Sequence, residues 1–191
     1  MVKLNQMKNK VCYKSVFSVV TVLIMIFCIS CKKLFKEEAL TIPLQSYNGN
    51  ELKVDGYYYR ISSDNKGNPA YEIYFLYRNG VVLYGGFPLL SELPSREQSY
   101  MDGSYYSNMG SITNWGRFNV AGSDIKIEKW YPSSGGPYPV YLFGGAIEND
   151  TTYHLTYSKE SHGEHKYEEE NKLYHFKKLS PKPDSTNEFT N

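Results

Sequence analysis

AYEIYFLYRNGVVLYGGF, residues 70–87, reads as two strands joined by a tight turn. Its first half alternates: Tyr71, Ile73, Phe75 and Tyr77 share one face, and Glu72, Tyr74 and Arg78 share the other. A period of two is the mark of a half-buried strand, because successive side chains leave a pleated backbone on opposite sides. Asn79-Gly80 follows, a pair that tolerates positive φ and signals a tight hairpin, and VVLYGGF (81–87) is the return strand.

The same grammar recurs on either side. Upstream, LKVDGYYYRI (52–61) is strand-like and is closed by the turn formers SSDNKGNP (62–69). Downstream, WGRFNVA (115–121), Gly122-Ser123 and DIKIEKWY (124–131) form a second hairpin. PVYLFGGAIE (139–148), Asn149-Asp150 and TTYHLTY (151–157) form a third, and KLYHFKKL (172–179) is a last strand. About eight strands with no long helical period between them predict an all-β antiparallel meander. Eight is the number at which such a sheet can close into a small barrel and lose its edges. Leu52 and Val54 have the opposite parity to Tyr57, Tyr59 and Ile61, which predicts a bulge near Gly56. Gly85-Gly86, Gly135-Gly136 and Gly144-Gly145 are expected at bulges or tight bends that let the sheet curl. The one long interruption is 88–111, where SELPSREQSYM (91–101) can form a short helix beginning near Ser91 or Ser95 and cap one barrel end.

The N-terminus has a different logic. Residues 1–14 are polar and basic, and 15–30, SVFSVVTVLIMIFCIS, form an uncharged apolar run. A positive region, an apolar region and a small residue at the cut are the parts of a secretory signal, and the run is short for a membrane span. Cys28-Ile29-Ser30-Cys31 resembles a lipobox, so cleavage is expected between Ser30 and Cys31, with Cys31 as the lipid attachment residue. The chemistry needs a thiol, because a diacylglyceryl group is placed on sulfur before the signal is cut. Several acyl chains (palmitate among them) then make the anchor effectively permanent, each buried CH₂ contributing about 0.8 kcal/mol. The organisation that follows is a signal peptide at 1–30, a lipidated tether at 31–50, a barrel at 51–179 and a flexible tail at 180–191. Lys32 suits sorting to the outer membrane. Lys36-Glu37-Glu38 loosely resembles the acidic export signals of surface-exposed lipoproteins, which tilts the periplasmic-or-surface choice toward the surface.

Composition narrows the function. Lys3, Lys8, Lys10 and Lys14 supply four of the 21 basic residues, so the chain after Ser30, which holds all 20 acids, is net negative and offers nucleic acid nothing. The three cysteines are Cys12, Cys28 and Cys31, so the mature domain has no disulfide framework and no Cys-based metal site. Nineteen tyrosines are the unusual component. Tyrosine joins an apolar body to a hydrogen-bonding tip, which suits faces that meet sugar, lipid headgroups or protein.

Taken in order, "DGYYY", "FLYRNGVVL", "WGRFNVAGSDIKIEKW", "GGAIENDTTYHLTY" and "LYHFKKL" resemble the lipocalin-like lipoproteins of gut-type Gram-negative bacteria, over roughly residues 51–179. The resemblance implies a lipocalin-like barrel and membrane anchoring. It implies no particular ligand.

Sequence evidence for catalysis or metal binding is thin. Ser161-His162-Gly163-Glu164-His165 with Glu168, Glu169 and Glu170 carries metal-ligand residue types, but it reads as a charged loop between two strands. Glu72 and Glu128 are the carboxylate pair one could imagine for glycoside hydrolysis, although surface strand carboxylates are commoner. No Gly-X-Ser-X-Gly elbow or phosphate-cradling loop is present. The expectation is therefore a non-enzyme without cofactor or metal. Its inward-facing Tyr71, Phe75, Tyr77, Phe118, Ile125, Ile127, Tyr141 and Phe143 would either fill the barrel or bind a small apolar or glycan-like ligand. The alternative is an interaction module that docks an envelope protein through exposed tyrosines and the 88–111 loop. Asp150-Thr151-Thr152 and Asp184-Ser185-Thr186 resemble an O-glycosylation motif, with Thr151 and Ser185 as acceptors. A turn stabilised by its own side chains explains the first as well.

Overall fold

Each expected hairpin forms, and the last strand returns to the first. In a computed structural model, which describes residues 37–105, 109–163 and 167–190, eight antiparallel strands run in sequence order around a closed barrel. They are β1 (Gly56–Ser63), β2 (Pro69–Leu76), β3 (Val81–Gly86), β4 (Trp115–Ala121), β5 (Asp124–Trp130), β6 (Val140–Asn149), β7 (Thr152–Glu160) and β8 (Glu168–Lys178). Closure is made by β1 against β8, from Gly56 opposite Lys178 to Tyr59 opposite His175. This is the all-β, lipocalin-like barrel that the strand count predicts. The barrel unit comprises Glu38–Ser133 and Tyr138–Asn191. Glu37 and Ser134–Pro137 fall outside this unit and are coil and bends. Ser30 and Cys31 lie outside the described residues.

The β2–β3 turn differs in detail from a two-residue hairpin. Only Gly80 has positive φ (83°), and its N–H donates to the Tyr77 carbonyl while the Tyr77 N–H donates to Val81. Arg78, Asn79 and Gly80 thus form a three-residue loop that closes on a left-handed glycine, with the Asn79 side chain accepting from the Val81 N–H. Gly85 is the extra residue of a bulge where the β2–β3 register shifts. A Cβ there would come within 2.7 Å of Ile73. Gly144, at the second shift, leaves room for the Tyr157 ring, which a Cβ would meet at 2.2 Å. The parity change near Gly56 has a simpler cause than a bulge. Leu52 and Val54 precede β1 and are not part of the strand.

Two apolar cores lie on the two sides of the wall. One draws a buried side chain from every strand: Tyr58, Tyr74, Leu76, Val82, Phe118, Ile125, Ile127, Phe143, Tyr153, Leu155 and Tyr174. In a closed barrel such a cluster is the interior. The other gathers Tyr57, Ile73, Phe75, Tyr77, Val81, Leu83, Trp115 and Trp130 under Tyr100, Tyr105, Met109 and Leu179, and is therefore the covered exterior.

The cover comes from the segments flanking the strands. The expected helix is present as α1 (Leu93–Met101), preceded by a single 3-10 turn at Leu90–Glu92. Leu93, Glu97, Tyr100 and Met101 recur at helical spacing. Three of them pack on the exterior core, while Glu97 accepts from the Tyr57 hydroxyl and pairs with Lys177. The helix lies against the wall of the barrel, with Tyr100 donating to the Gly85 carbonyl, so it does not cap an end.

Residues expected to be tether and tail are also part of this cover. From Glu38 the chain is bound to the wall: Trp130 Nε1 donates to the Glu38 carbonyl, and Ile42 and Tyr47 are buried. At the other terminus Tyr77 donates to the Pro183 carbonyl, and Lys182 Nζ donates to the carbonyls of Val54 and Leu76. Residues 38–50 and 180–190 carry no strand or helix period that would announce these contacts, because single side chains make them against distant backbone. Among the described residues no helix is long and apolar enough to cross a membrane.

Candidate functional site

The two ends of the barrel are chemically different. At the end holding the β2–β3 loop and the β6–β7 turn, residues 47–53 cross the opening. The Tyr47 N–H donates to Arg78, the Lys53 N–H donates to Asp150, and Tyr47 and Leu52 join the interior core. Above them the interior is filled by rings. Tyr153 lies 4.9 Å from both Tyr58 and Tyr174, and Tyr74 packs against Tyr174 and Tyr84. Centroid separations of this size are those of favourable aromatic pairs.

Toward the other end the inward side chains become polar. Arg60 of β1 pairs with Glu72 of β2, and the Tyr174 and Tyr74 hydroxyls donate to the same carboxylate. Glu170 and Lys172 of β8 form a second pair at 2.9 Å, and Ser158 of β7 donates to Glu170. Lys129 of β5 is 4% exposed, and its ammonium sits 4.1 Å from the Tyr131 ring and 4.9 Å from that of Tyr84. Burial lowers its pKa from the ordinary 10.5 to about 8, with the Glu72 charge pulling weakly the other way. Burial likewise raises the pKa of the Tyr74, Tyr84, Tyr131 and Tyr174 phenols. The side chains of Arg60 and Lys172 retain 22% exposure, and Tyr84, Tyr131 and Tyr141 are half-buried. An inward side chain of a closed barrel reaches solvent only through an end. Among the described residues, this polar end is therefore the one through which inward side chains reach solvent, and it is termed the open end.

Of the side chains expected to face inward, Phe118, Ile125, Ile127 and Phe143 are in the interior core, and Tyr141 packs at its rim. Tyr71, Phe75 and Tyr77 belong to the exterior, a correction to the expected binding surface. The alternation of β2 is as read, but the face carrying Glu72 and Tyr74 is the inner one. The signal was ambiguous because α1 and the C-terminal segment bury the outer face of β2 as thoroughly as the barrel buries the inner. The polar residues that line the open end, Arg60, Lys129, Glu170 and Lys172, were missed. A charged residue in strand alternation is ordinarily solvent-facing, and the available hint was that each shares parity with buried apolar residues of its strand, Tyr58 for Arg60, Ile125 and Ile127 for Lys129, and Tyr174 for Glu170 and Lys172.

The remaining candidates separate. Glu72 is inside, whereas Glu128 lies in the wall's outer face. There it accepts from the Thr41 hydroxyl, the Ile42 N–H and the Ser161 hydroxyl, so the two carboxylates cannot flank one bond. His162 meets the Ala39 carbonyl, and Glu164 and His165 lie outside the described residues. Among the described residues no three His, Cys, Asp or Glu side chains converge as metal ligands would. Thr151 stands in the β6–β7 turn with its hydroxyl on the Asn149 side chain. Ser185 accepts from Asn79 at the edge of a groove of about 540 Å³ that runs along Tyr77 and Lys182 outside the barrel. Searches of protein-family models, curated proteins and solved structures gave no match to this chain.

Proposed function

We propose that this protein is an envelope lipoprotein, held to the outer membrane by acyl chains on Cys31, whose barrel binds a small polar, glycan-like ligand at its open end. It acts by binding and not by catalysis, and it needs no cofactor. The observation that carries the ligand reading is the asymmetry of the interior. One end is plugged by residues 47–53 and packed with rings, and the other presents half-buried tyrosines beside charged groups. Pockets for small ligands combine such an apolar lining with a few placed polar groups. Rings that already fill the middle of the barrel leave a long apolar ligand no room, so of the two ligand classes the glycan-like one is favoured.

Anchoring is supported by the order of parts in 1–31, a basic segment, an apolar run and a lipobox-like Cys28-Ile29-Ser30-Cys31. Docking through 88–111 is less favoured, because Tyr100, Tyr105 and Met109 are spent on the barrel wall. Two measurements test the reading. Metabolic labelling with an alkynyl fatty acid should tag the wild type and fail on Cys31→Ser, and persistent labelling would refute the anchor. Native mass spectrometry of the protein from its own membranes should show a bound small polar species; a bound long-chain lipid would exclude the glycan-like ligand.

A further inference from the structure

Among the described residues, Arg60, Lys129, Lys172, Glu72 and Glu170 face inward at the open end, and Glu160 accepts from the Tyr141 hydroxyl there. Arg60 is matched by Glu72, and Lys172 by Glu170. Lys129 has neither an ion pair nor a hydrogen bond to any described residue; two tyrosine rings are its partners. A buried ammonium without a counter-charge is costly, and cation–π contacts offset only part of the cost. Among the described residues the ammonium of Lys129 thus has no ion-pair partner, and it sits beside half-buried rings at the polar end of the barrel.

We infer that Lys129 is the receptor for a carboxylate, and that the ligand is an acidic sugar of the uronic acid class. The inference rests on the open end being the binding site. A carboxylate at Lys129 supplies the missing counter-charge and replaces a solvated contact with a charge-assisted hydrogen bond. The sugar ring then has Tyr131 and Tyr141, edge to face at 5.1 Å, as an aromatic wall. Its hydroxyls have the paired polar groups of Arg60, Glu72, Glu170 and Lys172 as donors and acceptors. A neutral sugar leaves the ammonium uncompensated, and a simple carboxylate leaves the rings uncovered.

The test is calorimetric titration of the detergent-solubilised full chain with D-glucuronate, D-glucose and acetate. Glucuronate should bind roughly tenfold or more tighter than either of the others, and Lys129→Met should bring it to the glucose level. Should that variant fold poorly, proton linkage in the wild type decides. The titratable and charged groups facing Lys129 among the described residues are the Tyr84 and Tyr131 phenols, Tyr141 opposite it on β6 with Glu160 on its hydroxyl, the paired Glu72 with Arg60, and the Glu170–Lys172 pair. Burial brings the Lys129 pKa down to about 8, so binding at about pH 8.5 should take up a proton, read as a buffer-dependent heat. Equal binding of glucose and glucuronate, unchanged affinity in Lys129→Met, or binding without proton uptake overturns the inference while the open end remains a sugar site. Acetate binding as tightly as glucuronate overturns the sugar part. Silence from both sugars overturns the inference and the glycan reading together.

Discussion

Glu128 shows how one side chain can bind a distant segment to the barrel. It is fully buried, and it satisfies a backbone N–H and two hydroxyls from Thr41, Ile42 and Ser161. Glu128→Ala strands those donors, so the urea midpoint should fall by the equivalent of about 1–3 kcal/mol; an unchanged midpoint would mean the 38–47 segment is not held there. Lys129, its neighbour on the opposite face, should behave in the reverse sense. Lys129→Met removes an unpaired buried charge, so stability at neutral pH should hold or rise while acidic-sugar binding is lost. Sequence could place both residues on β5, but not on their two sides of the wall. Alternation says which residues share a face, and a charge at either position reads as solvent.

At the scale of elements, the strands were legible because each repeats a local pattern. The flanking segments were not, because their contacts are single and long-range. Strand β2 shows both halves of this. Its alternation was plain, yet Tyr71, Phe75 and Tyr77 face outward, since α1 and the C-terminal segment supply a second hydrophobic environment that no local pattern announces. The C-terminal segment makes the point testable. Ending the chain at Leu179 removes the acceptor of Tyr77, both Lys182 bonds and the Thr190 carbonyl on Arg117, and should cost about 2–4 kcal/mol in chemical denaturation. A free tail would leave the midpoint where it was. For α1, Tyr100→Phe loses the bond to Gly85 and should cost about 1 kcal/mol.

For the whole molecule, the filled, tyrosine-lined barrel gives stability a defined pH dependence. Lys129 and Lys182 have folded pKa values lowered to about 8, so between there and their ordinary 10.5 the unfolded chain binds more protons and stability rises with pH. The buried tyrosines act oppositely. Tyr57, Tyr58, Tyr74, Tyr100, Tyr153 and Tyr174 have raised folded pKa values, so above their ordinary 10.0 the folded state binds more protons and stability falls. Denaturation series should therefore peak on the alkaline side, between about pH 8 and 10, and phenolate absorbance should rise in two stages, the second coinciding with unfolding.

On this reading the open end, and no other surface, binds the ligand. Chemical-shift mapping of the tyrosine-labelled protein during sugar titration addresses it directly. The expected result is movement of Tyr84, Tyr131 and Tyr141 with Tyr77 and Tyr100 unmoved. Shifts confined to Tyr77, Tyr100 and Tyr105 on the exterior would contradict it.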